Sequence, residues 1–130
     1  MISKASLRII SDRDLEHVSK QLGLTPSSFN KKGEINIIGR IQQTNVWGIS
    51  SPLDTLLPLE DHLKWLAELV SDKKSTIEQI KRYANVDVFC SITANEQDGF
   101  SLSPKALSVF VDLQVDMEVS LILADATIDE

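Results

Sequence analysis

Residues 86–93 read VDVFCSIT, and their alternation decides the class of fold. Every second position is apolar: Val86, Val88, Cys90 and Ile92. Successive side chains of a strand point to opposite faces of a sheet, so this pattern predicts a strand with one buried face. A sheet that is covered on one side only is typical of antiparallel pairing.

The same period of two appears in three further segments. ASLRII, residues 5–10, predicts a half-buried strand, and NVWGIS, residues 45–50, reads as extended. QVDMEVSLIL, residues 114–123, predicts another strand whose inward positions are Val115, Met117, Val119, Leu121 and Leu123. INIIGRIQ, residues 35–42, also reads as extended, but Gly39 leaves open whether it is a strand.

Helical patterns lie between these strands. SDRDLEHVSKQLGL predicts a helix that Ser11 caps, with Asp14 in the capping-box position and Gly23 at its left-handed end. SPKALSVFVDL predicts a second helix, with Ser103 as N-cap and Pro104 at its first position.

One apolar face recurs at helical spacing over residues 59–84, and only Lys73 interrupts it. The pattern predicts one long central helix. Ser75 with Glu78 forms a second capping pattern, so a break at residues 71–75 stays open as the alternative.

The order of elements is therefore β-α-β, a long helix, and β-α-β. With 130 residues, the chain has the length of one domain. We expect a single α+β domain over residues 1–130: a four-stranded, mainly antiparallel sheet of ferredoxin-like topology with helices on one face. ADATIDE, residues 124–130, is predicted to be a short acidic tail.

The charge balance restricts the partners. Net charge is −6, and residues 86–130 carry one Lys or Arg against nine Asp or Glu. This balance argues against binding nucleic acid, which relies on neutralising phosphates, and suits a basic protein partner. No apolar run approaches the roughly 20 residues of a membrane span, and MISKASLRII lacks a signal-peptide pattern. We therefore expect a cytoplasmic protein without membrane contact.

No catalytic, cofactor or metal site is predicted. Gly48-Ile49-Ser50 begins like a nucleophile elbow, but Pro52 stands where that motif requires glycine. Cys90 is the single cysteine and is expected to be buried, while His17 and His62 are expected to be exposed. Asp12 and Asp14 are explained as acids at the start of a helix.

Five residues are candidates for binding a partner. Phe89 lies on the face of its strand opposite Cys90, where an exposed aromatic would suit a binding surface. Asp116 and Glu118 are outward positions of the last strand, and Lys31 and Lys32 lie in the loop NKKGE, which suits an anion or an acidic partner.

The order of several motifs resembles the bacterial domain-of-unknown-function family 4279. These motifs are Lys-Gly-Glu at 32–34, Trp-x-x-Ser-Ser at 47–51 and Gly-Phe-x-Leu-Ser-Pro at 99–104. INIIGRIQQ departs from the resemblance because it is more apolar than expected for the loop there. The resemblance implies no activity, although small acidic members are similar in size to the immunity proteins of toxin systems.

Three functions remain open. The leading hypothesis is a non-enzymatic protein-binding module, with an immunity-like protein as its most specific form. The second is a small-ligand-sensing domain that dimerises through its sheet edges, because ferredoxin-like sheets often pair in that way. The third is an enzyme whose site the sequence does not reveal.

Overall fold

The computed structural model describes residues 1–124 as a mixed sheet of five strands with helices packed on one face. The strands are β1 (Ile2–Ser11), β2 (Ser28–Asn30), β3 (Asn45–Ser50), β4 (Asn85–Ala94) and β5 (Asp116–Leu123). The helices are α1 (Val18–Leu22), α2 (Leu59–Val70), α3 (Lys74–Ile80) and α4 (Pro104–Leu113). Residues 125–130, most of the expected tail, lie outside the described part. No helix within that part is both long enough and apolar enough to cross a membrane.

Strand β1 lies at the centre of the sheet, whose order is β2-β3-β1-β4-β5. It pairs antiparallel with β3 on one side and β4 on the other, so that Leu7 lies opposite both Ile49 and Val88. The odd-numbered side chains of β1 face the helices, and Leu7 and Ile9 are completely buried there. The expected half-buried strands at 5–10 and 86–93 are thus confirmed.

The ferredoxin-like topology and the four-stranded sheet are wrong. The segment between β1 and β3 contains α1 and the short β2, and β3 returns antiparallel to β1. Residues 12–44 do not form one helix that crosses over the sheet, because they include β2, which pairs antiparallel with β3. Only the second unit forms a crossover, in which α4 returns the chain so that β5 runs parallel to β4.

The expected long helix over 59–84 is two helices. Helix α2 ends at Val70 and α3 begins at Lys74, after Lys73 leaves helical geometry with φ −117° and ψ 16°. Lys73 is the position that interrupts the apolar stripe, and the turn before it lets Ile77 and Ile80 reach the core on a new axis. Ser75 does not cap α3, because the helix already contains it.

The first helix is shorter than expected. Strand β1 continues to Ser11, whose hydroxyl donates to the carbonyl of Tyr83 and accepts from the amide of Arg13. Helix α1 begins at Val18, and the Asp14 carboxylate accepts from the amide of Glu16 in a turn before it. The predicted end is confirmed, since Gly23 has φ +67°.

The predicted inward face of β5 is only partly buried. Met117 packs against the core, but Val119, Leu121 and Leu123 are 47%, 58% and 59% exposed. Their register on β4 places them on the helix side of the sheet, as predicted. They remain in contact with solvent because β5 is the edge strand and the helices do not extend over it.

Truncating the centre of the sheet should destabilise the whole protein. We expect Leu7→Ala to lower the free energy of unfolding by about 2–5 kcal/mol, because it opens a cavity between β3, β4 and the helices. Leu56→Ala removes the same atoms from a side chain that is 73% exposed. Urea denaturation of both variants should separate them clearly, and equal losses would contradict the central role of β1.

Candidate functional site

Two residues that could suggest catalysis, Ser51 and His62, lie inside the core. Ser51 Oγ is 2.8 Å from Nδ1 of His62, and both side chains are buried. The expectation that His62 is exposed is therefore wrong. Ser50, the serine of the elbow-like sequence, instead pairs its hydroxyl with that of Ser6 at 2.7 Å.

The Ser51–His62 pair lacks the arrangement that nucleophilic catalysis requires. A catalytic histidine has its second nitrogen oriented by a carboxylate, whereas Nε2 of His62 has no hydrogen-bond partner within residues 1–124. The Ser51 hydroxyl also accepts from the amide of Leu53, at 3.3 Å, which forms a local turn. The hydrogen bond between Ser51 and His62 holds the segment after β3 against α2. Both side chains are buried, so neither is accessible to a molecule in solvent.

Cys90 is equally shielded. Its side chain is completely buried in β4, and burial raises the pKa of the thiol to about 11, with the Asp87 carboxylate adding to the shift. The thiol therefore stays protonated near neutral pH, and the thiolate is the reactive form. Within residues 1–124, no group of three or more His, Cys, Asp or Glu side chains could hold a metal ion.

The face of the sheet opposite the helices carries a charged cluster around Arg8. Its guanidinium donates to both carboxylate oxygens of Asp87, at 2.9 and 2.6 Å, and to Glu118 at 2.9 Å. The same group lies 4.4 Å from the centre of the Phe89 ring. Two of the predicted site residues, Phe89 and Glu118, thus meet around one arginine that the sequence did not indicate.

Asp116 extends this cluster towards the edge of the sheet. It lies beside Asp87 in the β4–β5 register, is exposed, and forms no ion pair within the described residues. Arg8, Asp87 and Asp116 lie side by side on three neighbouring strands, so this row has two carboxylates and one arginine and carries a net negative charge. The arrangement can attract a basic group of a partner.

Lys31 and Lys32 lie at the opposite edge, beyond β2. Lys31 pairs with Glu16 at 2.5 Å, and this carboxylate raises the pKa of the Lys31 ammonium group. Lys32 lies 3.6 Å from Asp12. The lysines therefore do not join the other three predicted residues, and Asp12 does not cap a helix.

The two lysines lead into a hairpin that exposes four isoleucines. We call residues 33–42 the isoleucine hairpin; its exposed apolar side chains are Ile35 (74%), Ile37 (102%), Ile38 (69%) and Ile41 (61%). Residues 35–42 do not form a strand: an isolated β-bridge between Ile35 and Ile41 and a few backbone hydrogen bonds join the two arms. The sequence signal was the excess of apolar residues in a segment that was expected to be a loop.

Hydrogen bonds organise the isoleucine hairpin around Asn36. The Asn36 amide donates to the carbonyl of Arg40, and its side-chain oxygen accepts from the amides of Ile38 and Arg40. Gly39 has φ +79°, a left-handed conformation that glycine adopts without strain. Ile37 and Ile38 are therefore held at the tip of a defined turn.

Comparison with known proteins agrees with the predicted resemblance. A family model described as domain of unknown function (DUF4279) matches residues 2–124. Neither a curated protein nor a solved structure matches the chain. The match spans the sheet, the helices and the isoleucine hairpin, and its description assigns no activity.

Disturbing the turn should loosen the hairpin and leave the sheet intact. We expect Gly39→Ala to cost about 1–2 kcal/mol of local order, because a Cβ disfavours positive φ. The amides of Gly33 and Gln42, which bond across the hairpin, should exchange faster with deuterium. Unchanged exchange there, or equal acceleration at Leu7 in β1, would show that the hairpin is not a separate ordered unit.

The buried thiol should react only when the protein opens. We expect a thiol-specific reagent to label Cys90 at the rate of unfolding in buffer and immediately in denaturing urea. A variant with Cys90→Ala and Ser101→Cys, in which Ser101 is exposed, provides the fast-reacting control. Rapid labelling of native Cys90 would contradict its burial.

Proposed function

The chain belongs to the DUF4279 family, and we propose that it is a non-enzymatic protein-binding module whose main contact is the isoleucine hairpin. The observation that carries this proposal is the exposure of four isoleucines on one ordered turn. Large apolar side chains grouped on a surface are typical of interaction sites.

The energetics favour a protein partner with an apolar cleft. Burying an isoleucine side chain stabilises a complex by about 1.5–3 kcal/mol, and the tip offers two neighbouring ones in Ile37 and Ile38. The hydrogen bonds of Asn36 already fix the turn, so little conformational entropy is lost on binding. Small apolar tips of this kind act as anchors in a fitted pocket.

The charges around the isoleucine hairpin indicate which charges the rim of the partner's cleft would carry. Arg40 is exposed and forms no ion pair within residues 1–124, and Lys31 and Lys32 stand at the base. Their surface ion pairs are weak and exchange readily with a partner's acids. An apolar cleft with an acidic rim is therefore the complementary surface.

The charged cluster around Arg8 is a second contact region in this proposal. Phe89, Asp116 and Glu118 would meet a basic patch of the same partner or of another one. Four strand spacings, about 19 Å, separate the edges of the sheet, so the two regions can be tested separately.

The more specific form of the proposal is an immunity-like protein of a bacterial toxin system that acts in the cytoplasm. Its small size and its acidity support this form. Such a protein would neutralise its toxin by covering a surface, which requires complementarity and no chemistry.

A capture experiment with matched variants tests the proposal. We expect wild-type protein to retain a specific partner from an extract of its native cell, and Ile37→Ser with Ile38→Ser to lose it. Val111→Ser is the control, because Val111 is 73% exposed but lies on α4. The captured partner should then bind the purified wild-type protein at least about tenfold more tightly than the double variant, measured by calorimetry.

Two results would contradict the proposal. One is capture of no partner by the wild type, and the other is equal binding of the purified partner by all three proteins. The charged cluster is tested by Asp116→Lys, with Glu68→Lys on α2 as the control. If the partner is a toxin, co-expression of the wild type should restore growth and the double hairpin variant should not.

A further inference from the structure

The outer edge of β5 is exposed, and its second half lacks the charges, proline and bulges that protect edge strands. Among the described residues, β5 pairs only with β4, so the backbone groups on its other side face away from the sheet. Natural edge strands are usually short or carry lysine, proline or a bulge. β5 has eight residues and contains neither lysine, proline nor glycine.

The second half of β5 is apolar on both faces. Val119, Leu121 and Leu123 lie on the helix side, and Ile122 lies on the other, with 47–59% of each side chain exposed. The other edge of the sheet differs, because β2 has three residues and its exposed positions are Ser28 and Asn30. Of the two edge strands, β5 alone therefore has exposed apolar side chains.

We propose that a second copy of this chain covers this edge, by antiparallel pairing of two β5 strands about a two-fold axis at Leu121. In that register Leu121 lies opposite its own copy, and Val119 lies opposite Leu123. Such a pairing is self-complementary, as a two-fold interface must be. It continues the sheet through both copies and places their exposed apolar side chains in contact on the helix side.

Charge disfavours a register centred on the first half of β5. Asp116 and Glu118 occupy the first half of β5, so a pairing centred there would bring four carboxylates together. With the axis at Leu121, the two Glu118 residues lie about 20 Å apart along the strands, which exceeds the Debye length of about 8 Å in physiological salt. The apolar halves meet and the acidic halves stay apart.

The contact is small, so the dimer should be concentration-dependent. Only a few apolar side chains per copy become buried, which places the interface at the low end of the specific range. The backbone hydrogen bonds between the two β5 strands fix their antiparallel orientation, and the buried apolar side chains contribute most of the binding free energy.

Sedimentation equilibrium over a range of protein concentrations tests the dimer. We expect the mass of the wild type to rise from 14.5 kDa towards twice that value. Leu121→Lys should raise the dissociation constant at least about 100-fold, because two ammonium groups would meet at the axis. Ile38→Lys makes the same change on the isoleucine hairpin and should leave the dimer intact.

A cysteine scan tests the register. Under mild oxidation, Leu121→Cys should form a disulfide between copies, because directly opposed residues have Cβ atoms about 4.5–5.5 Å apart. Asp116→Cys should form none, and the buried Cys90 adds no background. Circular dichroism of each variant would verify that it folds.

Three results would overturn the inference. They are a wild type that stays monomeric at every concentration, a Leu121→Lys variant that dimerises as the wild type does, and efficient cross-linking through Asp116→Cys. Loss of the dimer in Ile38→Lys would instead assign self-association to the hairpin. Failure of the partner capture leaves these outcomes unaffected, because the two surfaces lie on opposite edges of the sheet.

Discussion

The burial of one face of β1 is the constraint on which the rest of the structure depends. Leu7 and Ile9 are completely buried, and the strand is hydrogen-bonded along both edges by β3 and β4. Backbone groups in that position are satisfied only when both neighbours pair in register, and a one-residue slip would turn the apolar face to solvent. The helices then pack on one face of the sheet. The break between α2 and α3 allows Ile77 and Ile80 to be buried in that core.

Because the helices cover one face of the sheet, the opposite face is mainly polar. The exposed apolar surfaces lie at the two edges of the sheet. At the centre, Arg8 binds Asp87 and Glu118 and stacks on Phe89, so most charges there are satisfied within the chain. The exposed apolar groups lie beyond the two outer strands, in the isoleucine hairpin on one side and in the end of β5 on the other. We propose that a foreign partner binds at one of these edges and a second copy of the chain at the other.

The hydroxyl residues after β3 illustrate how a catalytic sequence pattern can serve packing. Trp47 is completely buried and donates its indole N–H to Ser19, while Ser51 bonds to His62 inside the core. Each bond satisfies a polar group that folding removes from water, which would otherwise cost about 1–3 kcal/mol. The sequence NVWGISSP thus joins β3 to α1 and α2, and the absence of a third polar group at His62 within the described residues fits that role.

The sequence by itself determined the strands β1, β3, β4 and β5, because the period of two is a local property of the chain. Local helix signals likewise determined the start of α4 at Pro104 and the end of α1 at Gly23, and short motifs in order determined the family. It placed Phe89 and Glu118 on one face but could not show Arg8 between them, since cross-strand neighbours depend on register. It also could not show that β5 is an edge strand, that β3 runs antiparallel to β1, or that His62 is buried. These features were decided by tertiary structure alone, because strand order and solvent exposure depend on which distant segments occupy the neighbouring space.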